Sequence, residues 1–407
     1  MKRSGMNADF LFLAPTLPCA RFSGLSQRAY HLIRGLSEYG RVHVCYLDRR
    51  LVRSPTRTTG HVPFAASLTP MPPLSLLDPL FLWKKLLHLY SPAWRAKQII
   101  PEWVFFSEIA VRRLRRQFSR VSFRAVFAHR LYTLPYASIA PERPVILDLD
   151  DWESVTRSRL AELAGRLGRG ALKAEFERES LQYEKYEQTV LRSVQRVVLC
   201  SQDDAEALSC RYDGSRFRVL PNIVKPPRDS LPRSADRKEL LFVGSFGYLP
   251  NWDAAVQATH VLLPQLPDCR LILVGRQASN LPADIRHHPR VEVHDSVTDL
   301  KPFYQRATLV LVPIRAGGGT RIKILEAMAH GCPVVSSLVG AEGLEVEHGR
   351  EIMMGRDSSE MVEHCRTILD DSGFGVALAE RAEAAVRARY SFSSWQPIFQ
   401  GLLQNLD

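Results

Sequence analysis

The 407-residue sequence has no long apolar run, no low-complexity tract, no repeat at a fixed period and no closely spaced cysteine pair, and each absence excludes something. Its seven cysteines, Cys19, Cys45, Cys200, Cys210, Cys269, Cys332 and Cys365, are odd in number, far apart, and offer neither CxxC nor metal-ligand spacing. A disulfide framework and a zinc ribbon are excluded; small buried apolar residues in a reducing compartment are expected. The most apolar later stretch, Leu74 to Leu89, is interrupted by Asp78, Pro79, Lys84 and Lys85, which is too broken to span a bilayer. The first apolar run, Phe10–Ala14, is short and soon meets Pro15 and Pro18, so it reads as a buried strand and not as a signal peptide. Placement in the cytoplasm is expected, with contact to the inner face of the cytoplasmic membrane left open.

What is present suits a globular enzyme. At 45% hydrophobic and 24% charged, the composition fits a packed chain and no disordered or fibrous class. The length is too great for one ordinary core and suits two α/β domains. A formal net charge of +11 favours anionic partners: phosphates, nucleic acid or an acidic membrane face. The dense cluster Arg112, Arg113, Arg115 and Arg116 sits on an amphipathic stretch, readable equally as a solvated helix face or a membrane-surface element.

Short apolar runs alternate with helical patterns at both ends of the chain, the mark of parallel sheets covered by helices. In the N-terminal half the strand candidates are Phe10–Ala14, Val42–Leu47, Ala125–Ala128, Val145–Leu149 and Arg196–Cys200, with a long helix from Glu175 to Ser193. After a polar, proline-bearing stretch come Leu240–Gly244, Leu271–Gly275, Val291–His294, Leu309–Pro313, Pro333–Ser337 and Ile352–Met354. The fold class expected is therefore α/β, with two doubly wound parallel-sheet domains. Residues 1–225 form an N-terminal domain, 226–238 a linker, 239–388 a C-terminal domain and 389–407 a terminal helix. The segment Pro63 to Pro101 fits neither pattern and is left as an insertion near an acceptor or lipid, or as an irregular packed excursion.

The strongest local signal runs from Pro313 to Val335. A buried strand leads into Gly317, Gly318 and Gly319, a helix starts near Thr320, and Gly331 stops it. Glycines at that junction let backbone N–H groups approach an anion, and the helix dipole adds favourable potential. Arg321 and Lys323 bring two cations to the first turn, where they are unfavourable unless an anionic ligand needs them. Glu326, further along the helix, suits the hydroxyls of a ribose; its other reading is a surface glutamate paired with Lys323.

The run Gly-Gly-Gly-Thr-Arg-Ile-Lys-Ile-Leu-Glu-Ala-Met-Ala followed by Gly-Cys-Pro-Val-Val resembles the donor-site signature of retaining glycosyltransferase family 4, whose fold is GT-B. Leu241-Phe-Val-Gly-Ser-Phe, Leu271-Ile-Leu-Val-Gly, Gly340-Ala-Glu-Gly-Leu, Pro221-Asn222 and the Gly24 loop extend the likeness, which is nearest to sugar transferases of exopolysaccharide assembly. The resemblance implies two Rossmann-like domains facing across a cleft. It also implies metal-independent transfer of a sugar, with retention, from a UDP- or GDP-linked donor to a glycan or lipid-linked acceptor, and no resident cofactor. By the same resemblance Arg321, Lys323, Gly317, Gly318, Gly319 and Thr320 neutralise the diphosphate and Glu326 holds the ribose. Gly244, Ser245 and Asn251 lie near the phosphates, Asp295, Ser296 and Val297 in the Asp295–Thr298 loop face the base, and Gly24 approaches from the other domain. The terminal helix crosses back to the first domain in similar proteins.

Two departures stand out. The family's first glutamate is replaced here by Gly318, and its histidine after the fourth strand by the run Asp148-Leu-Asp150-Asp151-Trp152-Glu153. Asp150 is the nearest match to that histidine, placed to bond a sugar hydroxyl or receive the acceptor proton; as a loop aspartate it equally caps the next helix. The acidic run could also hold magnesium, which the resemblance does not require. His129 and Arg130 are read both as cleft residues and as structural ones. The rivals are a sugar-nucleotide 2-epimerase of the same layout, whose carboxylate and histidine signature is not found, and a non-enzymatic binder of nucleotide-sugar or nucleic acid. No nucleic-acid module is recognisable, and Gly244-Ser-Phe-Gly247 does not supply a nicotinamide fingerprint.

Overall fold

The computed structural model describes residues 8–20, 24–47, 62–71, 83, 86–87, 90–91, 100, 106–227, 238–404 and 406. They group into two compact units. The first holds the chain up to Arg157, Ala174–Leu220 and Trp395–Asp407; the second holds Ser158–Lys173 and Pro221–Ser394.

The first unit is built on seven strands: β1 Asp9–Ala14, β2 Arg41–Leu47, β3 Ala65–Met71, β4 Phe123–His129, β5 Val145–Asp150, β6 Arg196–Leu199 and β7 Phe217–Val219. Their order is β3-β2-β1-β4-β5-β6-β7, every pairing parallel. Strands covered on both faces must be apolar throughout, and β1 is buried at all six positions. Between strands run α1 Gly24–Ser37, α2 Glu108–Gln117, α3 Glu153–Arg166, α4 Gly170–Val190 and α5 Gln202–Ser209; α3 begins in the first unit and ends in the second.

Two strands of this sheet were not expected. β3 falls inside the Pro63–Pro101 segment, where Pro70 argues against a strand; at the sheet edge its missing N–H leaves no bond broken. β7 is only three residues long, too short for a pattern to register. The rest of that segment, including most of Leu74–Leu89, and residues 228–237 of the expected linker lie outside the described residues.

The second unit carries β8 Glu239–Val243, β9 Arg270–Gly275, β10 Val291–Asp295, β11 Leu309–Val312, β12 Val334–Ser337 and β13 Met353–Gly355, in the order β10-β9-β8-β11-β12-β13. Its helices are α6 Leu249–Gln257, α7 Ala283–Arg286, α8 Lys301–Arg306, α9 Ile322–Ala329, α10 Leu338–Ala341, α11 Ser358–Asp370 and α12 Ser372–Arg389. Both sheets thus have the doubly wound order in which the first strand sits mid-sheet and the winding reverses beside it. The reversal falls between β1 and β4 in one unit and between β8 and β11 in the other.

The last helix, α13 Phe392–Leu403, belongs to the first unit from Trp395 onward. Trp395 packs edge-on to His31, and Phe399 fills the space beside Gly35, where a Cβ would lie 2.6 Å from its ring. Arg124 and Arg196 donate to the carbonyls of Leu403 and Gly401 at 3.0 and 2.7 Å. Together these contacts fasten the terminal helix to α1, β4 and β6. Among the described residues no helix is long and apolar enough to cross a membrane, and the seven cysteines are unpaired.

Candidate functional site

In the second unit the site assembles where the winding reverses, at the carboxyl ends of β8 and β11. Gly244 follows β8, and Gly317, Gly318, Gly319 and Thr320 follow β11. The backbone explains the glycines: Gly317 has φ 130° and Gly319 φ 63°, conformations that side chains resist. A Cβ on Gly317 would stand 3.2 Å from both Arg321 Nη2 and the Tyr248 hydroxyl.

Arg321 occupies the N-cap position of α9, where its guanidinium curls back so that Nη1 donates to the carbonyls of Gly318 and Gly319. Its Nη2 is buried and has no partner among the described residues. Thr320 is fixed by Asn222, whose amide donates to the threonine hydroxyl at 2.9 Å, both groups buried. Arg315, just upstream, grips the fully buried Asp253 of α6 through Nε at 2.9 Å and Nη2 at 2.5 Å. That clamp holds the β11 exit against α6, and charge pattern alone gave no sign of it.

Lys323 projects from the first turn of α9 toward the end of β8. Its Nζ donates to Asn251 Oδ1 at 2.6 Å and lies 4.4 Å from the centre of the Phe242 ring. Asn251 in turn donates to the Ser245 carbonyl at 2.9 Å. Gly244 is the space they share, since a Cβ there would meet Asn251 Cγ at 2.8 Å and Lys323 Nζ at 3.0 Å. Burial foremost, with the Arg321 charge adding to it, draws the Lys323 amine down to about 7, while Glu326 pulls the other way. Lys323 therefore bonds Asn251, and Glu326 acts on it through space, so the surface pairing read from spacing is not the arrangement found. Gly244, Ser245, Asn251, Lys323, Arg321 and the glycine loop form one neighbourhood.

The third group stands at the carboxyl end of β10. Asp295 accepts from the backbone N–H groups of Gln277 and Ala278 at 3.2 and 3.1 Å, so its carboxylate holds the turn after β9. Ser296 has φ 54° and its N–H bonds the Gly275 carbonyl at 3.2 Å, while Val297 packs on the core. Gly275 joins this group to the first, because a Cβ on it would lie 1.7 Å from the Gly244 carbonyl oxygen.

The two candidates of the first unit lie beside its own reversal point. Gly24 opens α1 after β1, and Asp150 ends β5 with φ 59°, a conformation aspartate tolerates better than most residues. Asp150 Oδ1 faces Arg28 Nε at 3.3 Å and Oδ2 accepts from Arg130 Nη1 at 3.1 Å. Beneath it Arg28, fully buried, binds both oxygens of Asp148, and His129 Nδ1 meets Asp148 Oδ2 at 2.6 Å. His129 Nε2 meets the Leu25 carbonyl at 3.1 Å, so both ring nitrogens face acceptors deep in the unit: the structural reading of this histidine holds. Arg130 bridges Asp150, Asp151 and Glu153, so guanidinium groups supply the positive charge opposite this acidic run. Burial works to raise the Asp148 pKa, but Arg28 and His129 outweigh it and hold the group below the usual carboxylate range.

Over 217 residues, 46% of this chain and 51% of the other, the sequence is 29% identical to D-inositol 3-phosphate glycosyltransferase 1 of Catenulispora acidiphila; the match spans about half the length of that curated relative. The fold is similar to sucrose-phosphate synthase from Thermosynechococcus elongatus, with a TM-score of 0.71 at 17% identity and 98% of both chains covered. It is also similar to Anabaena HepE in complex with UDP-glucose, with a TM-score of 0.65 at 16% identity, covering 98% of this chain and 99% of that one. Residues 237–371, which include Gly244, Asn251, the glycine loop, Arg321, Lys323 and Glu326, match the family described as glycosyl transferases group 1.

Proposed function

We propose that the chain is a glycosyltransferase that binds a nucleotide diphosphate sugar, UDP- or GDP-linked, on its second unit and transfers the sugar to a glycan or lipid-linked acceptor with retention of anomeric configuration. Retention, membership of family 4 and a place in exopolysaccharide synthesis rest on the sequence signature around Arg321–Ala329. The observation that carries the reading is the presence of both Lys323 and a buried Arg321 nitrogen without a partner among the described residues, beside a glycine loop at the reversal of the sheet. A buried unpaired donor is costly, and a phosphate oxygen entering over Gly317 would satisfy it.

Departure of a nucleoside diphosphate builds negative charge on phosphate oxygens, and cations fixed in advance at that place lower the barrier. Arg321 is such a group, and Lys323 joins it once bound donor favours its charged amine, which makes a resident metal or cofactor unnecessary in this reading. Asp150, its two oxygens engaged by Arg28 and Arg130, keeps lone pairs for a sugar hydroxyl. The exposed arginines Arg112, Arg113, Arg115 and Arg116 of α2 suit contact with an anionic inner membrane face from the cytoplasmic side.

A thermal-shift screen against UDP-, GDP- and ADP-sugars identifies the donor. With that donor, Arg321→Ala and Lys323→Ala should each lower turnover about 10²–10³-fold, as loss of a fixed charge-stabilising donor does. Unchanged turnover in both variants overturns the assignment.

A further inference from the structure

We infer that a pocket in the first unit, floored by Trp152 and Glu187 and rimmed by Glu184, Gln188, Arg192 and Arg211, is a carbohydrate subsite that takes one hexose unit of the acceptor. The inference rests on the transferase reading above and adds where part of the acceptor is held and by what chemistry.

The pocket has a volume of about 320 Å³, at the lower end of the roughly 300–1,000 Å³ that small-molecule sites occupy, which suits one sugar ring rather than a chain. Its floor is rigid. Glu187, buried near the end of α4, accepts from Trp152 Nε1 at 3.1 Å and from the Ser154 N–H and hydroxyl at 3.1 and 2.5 Å. One carboxylate therefore fixes both the indole and the start of α3. Arg211 lies over the same indole at 5.1 Å, which orients its guanidinium at the rim.

The rim is built to bond something. Glu184 and Gln188 are one turn apart on α4 and share a face, Arg192 follows the helix, and Arg211 with Tyr212 follows α5. The side-chain heads of Glu184, Gln188, Arg192, Arg211 and Tyr212 have no hydrogen-bond or ion-pair partner among the described residues. Burial foremost, then Glu187 and Glu184, raise the Tyr212 pKa against the opposing pull of Arg192 and Arg211, so acidic and basic side chains surround one opening.

That balance identifies the ligand class. A phosphate or carboxylate would meet Glu184 as well as the arginines, and a cation would meet the reverse. A neutral ring of hydroxyls, each both donor and acceptor, satisfies guanidinium, amide and carboxylate together. The location agrees with an acceptor role: Trp152 stands two residues beyond Asp150, on the loop leaving the carboxyl end of β5, where α/β sheets bind ligands.

Saturation-transfer NMR of the full chain with methyl glucoside, methyl galactoside, methyl mannoside, N-acetylglucosamine, methyl glucuronide and inorganic phosphate tests this. Saturation of at least one neutral sugar is expected, reduced tenfold or more in both Gln188→Ala and Arg192→Ala. Binding of the donor sugar-nucleotide and the melting temperature should stay unchanged in these rim variants. Saturation of glucuronide alone, displaced by phosphate, overturns the inference in favour of an anion site. Absence of any signal, or a signal surviving both substitutions, overturns it outright. If donor binding and transfer persist in that case, only the subsite falls; if donor binding is itself absent from the unsubstituted chain, the transferase reading falls with it.

Discussion

Lys323 Nζ and Asn251 Oδ1 stand 2.6 Å apart, linking the first turn of the helix after β11 to the helix after β8 across the point where the sheet reverses. Among the described residues no carboxylate bonds the amine, and burial draws it down to about 7. A diphosphate diester stays doubly charged across neutral pH, so bound donor favours the charged amine and its binding takes up a proton. Below pH 7 the amine is already charged and affinity is level. Above it, affinity should fall up to tenfold per pH unit. Titration calorimetry of the donor in buffers of differing ionisation enthalpy, from pH 6 to 9, measures both the slope and the proton. In Lys323→Met the slope should vanish together with most of the affinity.

Gly244 sets the spacing of that pair. A methyl group at this position would meet Asn251 Cγ at 2.8 Å and Lys323 Nζ at 3.0 Å, closer than real Cβ contacts, yet the obstacle is made of side chains that can turn away. Gly244→Ala should therefore leave the second unit folded, with a melting temperature within a few degrees of the parent, and weaken donor binding about tenfold or more. A normal donor affinity in the folded variant would show that the Lys323–Asn251 contact does not form part of the donor site. Gly275→Ala offers the contrast, because its methyl would lie 1.7 Å from a backbone oxygen and the strand ends must separate.

The parallel strands and the glycine–helix junction were legible because they depend on local pattern: apolar runs covered on both faces, and glycines where the backbone must take positive φ. β3 was not legible, since its residues Ala65–Met71 include a proline and are only half-buried, and their pairing with β2 follows from topology. The partners of the site residues were equally hidden. Nothing in sequence spacing joins Lys323 to Asn251, Arg315 to Asp253 or Asn222 to Thr320, which are brought together by strand order alone. Glu326 illustrates the limit: helical spacing places it near Lys323, while the lysine's hydrogen bond goes elsewhere.

The Arg28–Asp148–His129 group is deeply buried in the first unit, with Asp148 between the Arg28 guanidinium and the His129 ring. Removing one partner of such a group leaves uncompensated charge and typically costs about 3–5 kcal/mol. Asp148→Asn should therefore lower the stability of the first unit by that order, measured by urea unfolding, while donor binding by the second unit persists below the transition. Since the Asp148 pKa lies below the usual carboxylate range, its contribution is complete above pH 4 and is lost as pH falls further. A variant as stable as the parent would mean that the arginine and histidine find other acceptors.

Glu187 has the opposite sign. Burial pushes its carboxyl from 4.5 up to about 7 despite the donors of Ser154 and Trp152, so the folded chain favours the protonated form. The stabilisation is complete below pH 4.5, where both states hold the proton. It declines between pH 4.5 and 7 as the unfolded chain releases the proton first, and is gone above that window. At about 1.4 kcal/mol per unit the decline amounts to about 3 kcal/mol. Equilibrium unfolding of the parent and Glu187→Gln at pH 5, 6, 7 and 8 isolates it, because all other titrating groups are common to both proteins. The difference between the two curves should rise by about this amount up to pH 7 in favour of the variant and then stay level. Parallel curves would place an ionised carboxylate on the pocket floor, held by Trp152 and Ser154 without cost.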